Sequence, residues 1–304
     1  NFTMNKISPM VKLLFTLFLL TIISSCAFNK MFLHPFPIKT TDSFSDYNDV
    51  LKDTLTLTFN ANQTPVVKNS KNEPADLSYS IENIHFANQQ EDTLNAWFIK
   101  PNENYNGITL YFLHGNAGNI VYNYLLMEPF VKKGFQVFMI DYSGFGFSQG
   151  KSKRKYVLTD SKDGLDYLLS RNDIKYDKLI MYGQSLGGHL AAVSGTQNQD
   201  KIDGLVLEGA FSSHKDAAND RVPFLSRLFV REMYSAEKNI KHYKKPLLII
   251  HSTEDKTIPY KHAERLNELA NEPKELYTID GRHVYGPLLY GDSIARKLME
   301  LVRQ

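Results

Sequence analysis

Ser185 stands in the stretch YGQSLGGHLA (182–191), between Gly183 and Gly187 and directly after the apolar run KLIMYG. A serine between two glycines, with a strand pattern before it and a helical pattern after it, fits a nucleophile displayed on a sharp turn. The glycines answer a steric need, because bulky neighbours at such a turn would collide with the strand or the helix. A serine hydroxyl attacks a carbonyl only when a base takes its proton, and that base must be oriented by a third group. In a strand-turn-helix setting the partners follow along the chain as acid, then histidine. Downstream, PLLIIHSTEDKTIPY offers Glu254 and Asp255 after a buried strand pattern. Asp255 is preferred, because Asp-x-x-Ile-Pro leaves its carboxylate at the strand mouth while Pro259 restrains the following turn. Glu254 is the first alternative, and Glu208 after GLVL is a weaker one.

Of nine histidines, His34, His85 and His114 precede the serine. His189 falls just inside the following helix, where an exposed position is expected. His214 and His242 bracket a segment resembling a lid, His251 shares a strand with the acid, and His262 falls in the next helix. His283, in IDGRHVYGP after the last strand pattern, is left as the base. Acyl transfer also needs donors for the developing oxyanion. The backbone N–H of Leu186 is one, and the loop LHGNAGN supplies the other, assigned to Asn116 with Ala117 as the neighbouring alternative. HGNAGN lacks the Gly-Lys-Ser/Thr of a phosphate loop, and DYSGFGFSQG lacks the third glycine of a dinucleotide fingerprint. No HExxH, paired CxxC or EF-hand spacing occurs, so no metal is implied.

These residues need a scaffold. With 304 residues, 42% hydrophobic and 22% charged, the chain is long enough for one large core, and its net charge of +2 gives no nucleic-acid footprint. The basic run Lys151, Lys153, Arg154 and Lys155 reads as a solvated loop. From Thr54 onward, TLTLTF, SIENIHFA and TLNAWFIK alternate as half-exposed antiparallel strands do, whereas ITLYFLHG, FQVFMIDY, KLIMYG, GLVLEG and PLLIIHS are nearly continuous apolar runs suited to a parallel sheet. Helical spacing over 156–170, 186–194, 261–270 and 293–302 alternates with them. The fold class is therefore α/β: a mostly parallel, twisted sheet of about eight strands with helices on both faces. Ligands of such sheets bind at the carboxyl ends of the strands, where Ser185, Asp255 and His283 fall.

The first 25 residues read as a signal peptide: Lys6 and Lys12, an uncharged stretch from Leu13 to Ile23, then small residues. The single cysteine, Cys26, follows them, and Ile23-Ser24-Ser25-Cys26 resembles the lipobox of bacterial lipoproteins. That resemblance implies lipidation of Cys26 and a membrane-anchored protein of the cell envelope. Ala27, in place of an aspartate, resembles lipoproteins sent to an outer membrane. Residues 26–53 read as a tether and lead-in, and 54–304 as one catalytic domain.

The ordered motifs FLHGNAGN, DYSGFGFSQG, YGQSLGGHLA, GLVLEGAFSS and PLLIIHSTEDKTIP resemble those of the α/β-hydrolase superfamily, in its branch of small serine hydrolases, from about Asn95 to the C-terminus. The resemblance implies Ser185 as nucleophile, Asp255 as acid, His283 as base, and an oxyanion hole at Asn116 and Leu186. It also implies an esterase, thioesterase or lipase acting on a small-molecule acyl ester without a cofactor. GRHVYGP departs from the surroundings that many members give the histidine. An insertion at about 211–244 is expected to form a short cap, with Phe224, Leu225, Leu228 and Phe229 either lining an acyl pocket or packing on the body. A peptidase of the same fold and a non-catalytic tethered binding protein are the competing expectations.

Overall fold

The computed structural model describes residues 32–48, 52–223 and 226–303, the side chains of residues 227 and 228 excepted. The leader, Cys26, Phe224 and Leu225 lie outside the described residues. Strands β1 (Phe44–Asn48), β2 (Asp53–Phe59) and β3 (Pro65–Lys68) form a small antiparallel sheet, so the expected lead-in contains a strand of its own. The main body follows as β4 (Tyr79–Ala87), β5 (Thr93–Pro101), β6 (Ile108–Leu113), α1 (Ile120–Val131), β7 (Gln136–Ile140), α2 (Arg154–Ser170), β8 (Lys178–Gln184), α3 (Leu186–Gln197) and β9 (Gly204–Glu208). Three short helices, α4 (His214–Arg221), α5 (Ser226–Phe229) and α6 (Ala236–Ile240), occupy the insertion. The chain closes with β10 (Leu247–Ser252), α7 (Lys261–Leu269), β11 (Lys274–Ile279) and α8 (Gly286–Leu301).

Eight of these strands form one sheet in the order β11-β10-β9-β8-β6-β7-β5-β4. β6 through β11 pair in parallel, and β5 and β4 extend the edge antiparallel, as the switch from continuous to alternating apolar runs predicts. The period of two along each strand divides the core between two faces. On β8, Ile180 and Tyr182 join one cluster with Ile120, Met127, Ile294 and Leu298 of α1 and α8. Leu179 and Met181 join the other, with Val157, Leu165, Leu190 and Leu266 of α2, α3 and α7. Each such fully buried side chain contributes about 1.5–3 kcal/mol.

Two local expectations are corrected. The basic run 151–155 is not wholly a solvated loop: Arg154 opens α2, is buried, donates from Nη1 to the Arg231 carbonyl at 2.8 Å and lies over the Phe32 ring. Its aliphatic stem and planar head suit a half-apolar site that a lysine would not fill. His189 is fully buried rather than exposed, because the sheet covers one side of α3 and the insertion covers the other.

Candidate active site

β8 delivers Ser185 into a backbone conformation of φ 54°, ψ −114°, a strained region for a residue with a side chain. The strain is held from outside: the Ser185 N–H donates to the Glu208 carbonyl at 2.8 Å, and Ser185 O accepts from the His189 N–H as α3 begins. A Cβ on Gly187 would lie 1.9 Å from the Leu113 carbonyl oxygen, and one on Gly183 would lie 2.2 Å from Gly187 O. Only glycine fits either position.

Ser185, His283 and Asp255 come together from the ends of three different strands. His283 Nε2 is 2.9 Å from Ser185 Oγ, and His283 Nδ1 is 2.5 Å from Asp255 Oδ2. Burial pushes the Asp255 carboxyl up, but hydrogen bonding from His251 and His283 and the N–H of Ile258 outweighs it and holds the group well below the ordinary carboxylate range. An ionised carboxylate only accepts, so His283 Nδ1 carries a proton and, in the neutral ring, Nε2 accepts from the serine hydroxyl. Asp255 is locked further by the N–H groups of Thr257 and Ile258 on Oδ1, at 2.8 and 2.9 Å. This is the turn that Asp-x-x-Ile-Pro prescribes.

The two alternative acids have other partners. Glu254 accepts from the Gly281 N–H at 3.0 Å. Glu208, buried at the end of β9, accepts from Tyr182 Oη (2.6 Å), Gln184 Nε2 (2.7 Å) and the Gly286 N–H (2.9 Å). Burial pushes its carboxyl up against those three donors. Glu208 thus ties the base of the serine turn to the chain that follows His283.

A cavity of about 260 Å³ beside Ser185 is walled by Asn116, Ala117, Leu186, Phe211, Ile258 and His283, among others. Asn116 and Leu186 are therefore both beside the serine. Gly115 comes closer still, since a Cβ there would stand 3.3 Å from that of Ser185. Phe32 and His34 complete the wall, and they come from the stretch read as a tether. The His34 N–H donates to Asn116 Oδ1 at 2.7 Å, and Asn116 Nδ2 donates to His34 Nδ1 at 2.9 Å. Downstream, Phe36 O accepts from Asn119 Nδ2 and from the Gly146 N–H, both at 3.0 Å. Residues 32–38 form a strap across the loop after β6. No motif marks it, because its bonds are made to residues more than eighty positions away in the case of Asn116.

Of the insertion, Ala217 and Arg221 of α4 reach the cavity, whereas Phe229 does not line it. Behind the cavity, His189, His214 and Glu232 bring potential ligand atoms within 4.8 Å of one another. Hydrogen bonding accounts for part of the group: Glu232 accepts from His214 Nδ1 and from the N–H groups of His214 and Lys215, holding the first turn of α4, and His189 Nδ1 donates to the Phe211 carbonyl, whereas Nε2 of both histidines is buried without a hydrogen-bond partner among the described residues. The cluster clamps α4 to α3. Burial holds His189 down to about 3.

The alpha/beta hydrolase fold family model matches residues 108–239. The uncharacterized protein YfhR of Escherichia coli (strain K12) is 35% identical over 213 residues, which cover 68% of this chain and 74% of that protein. The chain belongs to the α/β-hydrolase fold family. Within that family, the alpha/beta hydrolase domain-containing protein WAV2 of Arabidopsis thaliana is 31% identical over 208 residues, 64% of this chain and 68% of WAV2. Among solved structures, the Pyrococcus furiosus esterase Pf2001 superposes with a TM-score of 0.62 at 19% identity, over 74% of this chain and 93% of the esterase. Est1E of Butyrivibrio proteoclasticus, solved with ferulic acid, gives 0.60 at 19% identity over 73% and 100%. At these identities the α/β-hydrolase likeness is one of fold.

Proposed function

We propose that this chain is a serine hydrolase that cleaves a carboxylic ester or thioester through an acyl-serine intermediate, and that lipidated Cys26 holds it at the cell envelope. The observation that carries the reading is the unbroken hydrogen-bonded series from Ser185 Oγ through the His283 ring to Asp255. Ser185 Oγ attacks the carbonyl carbon while His283 Nε2 takes its proton, and Asp255 stabilises the imidazolium that results. The oxyanion is received by the backbone N–H groups of Asn116 and Leu186. His283 returns the proton to the departing alcohol or thiol, leaving the acyl group on Ser185. A water molecule, deprotonated by His283, attacks the acyl-serine and releases the carboxylic acid and the serine hydroxyl. The esterase names of the structural neighbours agree with this chemistry.

Turnover of p-nitrophenyl esters, acyl thioesters and peptide p-nitroanilides tests the reading. Ester or thioester hydrolysis that disappears in Ser185→Ala is expected. Hydrolysis of the anilides alone would assign a peptidase, and saturable binding without turnover would leave a binding protein.

A further inference from the structure

Tyr105, Val222 and Met233 apart, the large apolar side chains exposed among the described residues fall near the strap, the start of α1 or the His283 loop. Phe36, Tyr47, Tyr122, Tyr285, Leu288 and Leu289 are large apolar side chains between 39% and 56% exposed. Phe36 and Tyr122 meet edge to face with centroids 5.4 Å apart. Tyr47, Tyr122 and Leu288 line one groove of about 600 Å³, bedded on Leu57 and Val121. Tyr285 sits two residues beyond His283 and shares a second depression with it. These residues form an apolar collar running from the Asn116 loop to the His283 loop. Charged groups join it: Arg221 lines the cavity, Lys256 and Arg282 line the depression beside His283 together with Glu254, and Asp46, Glu128 and Lys132 line the groove.

We propose that this collar docks on a lipid bilayer, with the Ser185 cavity opening toward the membrane, and that the ester attacked is therefore one resident in that membrane. Two observations select a bilayer over a second protein. Aromatic and aliphatic groups interleaved with arginine and lysine suit the interfacial layer, where apolar groups enter the acyl boundary and cations meet anionic headgroups. The chain itself fixes the distance. Cys26 precedes Phe32, a wall of the cavity, by six residues, which span about 20 Å at full extension. The apolar stretch Leu13–Ile23 ends nine residues before Phe32. An anchor in that stretch or on Cys26 keeps the mouth within about 20–30 Å of the bilayer, less than the width of the domain. Among the described residues no helix is long and apolar enough to cross a membrane. The cavity holds an ester group and its first carbons, and the rest of a lipid lies along the collar. The substrate half rests on the serine-hydrolase reading, and the docking half on the anchoring of the N-terminal segment but not on that reading.

The full chain, with its N-terminal segment, is incubated with phosphatidylcholine–phosphatidylglycerol vesicles. A nitrobenzoxadiazole fluorophore is placed at Leu289→Cys or at Lys201→Cys, the latter at the opposite end of the sheet beyond α3. Blue-shifted, brighter emission at 289 but not at 201 is expected. Vesicle-bound protein with equal responses at the two positions, or a response only at 201, overturns the docking. Turnover is then compared between a water-soluble p-nitrophenyl ester and a fluorogenic diacyl lipid within the vesicles. The double variant Leu288→Asp/Leu289→Asp is expected to keep the soluble rate within about threefold and to lose at least about tenfold on the vesicle ester, since two apolar contacts with the bilayer become charged. Equal vesicle rates in wild type and double variant overturn the proposal. Wild-type turnover of the soluble ester alone overturns its substrate half. Docking at 289 with neither ester hydrolysed contradicts the serine-hydrolase reading and leaves the docking in place.

Discussion

At the residue scale, two adjacent carboxylates, Glu254 and Asp255, have different partners. Only Asp255 touches His283, while Glu254 holds the Gly281 N–H at the rim. Asp255→Asn presents an amide where the imidazole needs an acceptor, disfavouring the tautomer in which Nε2 takes the serine proton. A loss of about 10⁴ in kcat is expected for that change, against less than about threefold for Glu254→Gln. Steady-state kinetics on one soluble ester measure both. The preference for Asp255 was legible because its turn chemistry is local: Thr257 and Ile258 bond back to it two and three residues on. His283 was legible by its order along the chain. Phe32 and His34 were not, because a side chain that walls a cavity from a remote segment leaves no periodicity and no motif.

Elements place these groups through steric contacts that a single methyl group would break. Gly187→Ala would drive a Cβ into the Leu113 carbonyl, forcing β6 and α3 apart where the Asn116 loop and Ser185 must meet. Gly188→Ala makes a smaller overlap, meeting the Ala210 Cβ at 2.8 Å and the Gly183 carbonyl oxygen at 3.0 Å. Gly187→Ala is expected to cost at least about 3 kcal/mol and nearly all activity, and Gly188→Ala less on both counts, as urea unfolding and ester turnover measure. The strand and helix succession was readable in part: β6 to β10 are apolar runs, and helical spacing marks α2, α3, α7 and the later part of α8 but not α1. Two things escaped. β1 is a short, largely exposed strand paired, among the described residues, with β2 alone, with no apolar stripe to announce it. The burial of His189 depends on α3 being covered on both sides, and consecutive buried residues from Leu190 to Thr196 leave no polar face from which to read its orientation.

At the scale of the molecule, buried ionisable groups couple stability to pH in opposing directions. His189 is held down to about 3 and His114 to about 4 by burial, whereas burial raises Asp141 to about 7. A histidine with a depressed folded value leaves stability intact above its unfolded value near 6.5. That stability is lost as the pH falls, because the unfolded chain takes up a proton the folded chain refuses. Asp141 works the other way, favouring the fold at low pH and losing that contribution as the pH rises from its unfolded value toward 7. The difference between wild type and His189→Gln isolates one of these effects. Below pH 6.5 wild type is expected to lose about 1.4 kcal/mol per pH unit relative to the variant, by urea unfolding at a series of pH values. Parallel curves would contradict a neutral, buried His189. Covalent capture tests whether Ser185 is the nucleophile. Folded wild-type protein treated with a fluorophosphonate probe is digested and the modified peptide located by mass spectrometry. The predicted result is a single adduct on Ser185, absent from Ser185→Ala and formed more slowly by Asp255→Asn. A folded wild type that never labels, or labels no differently from Ser185→Ala, would contradict that assignment.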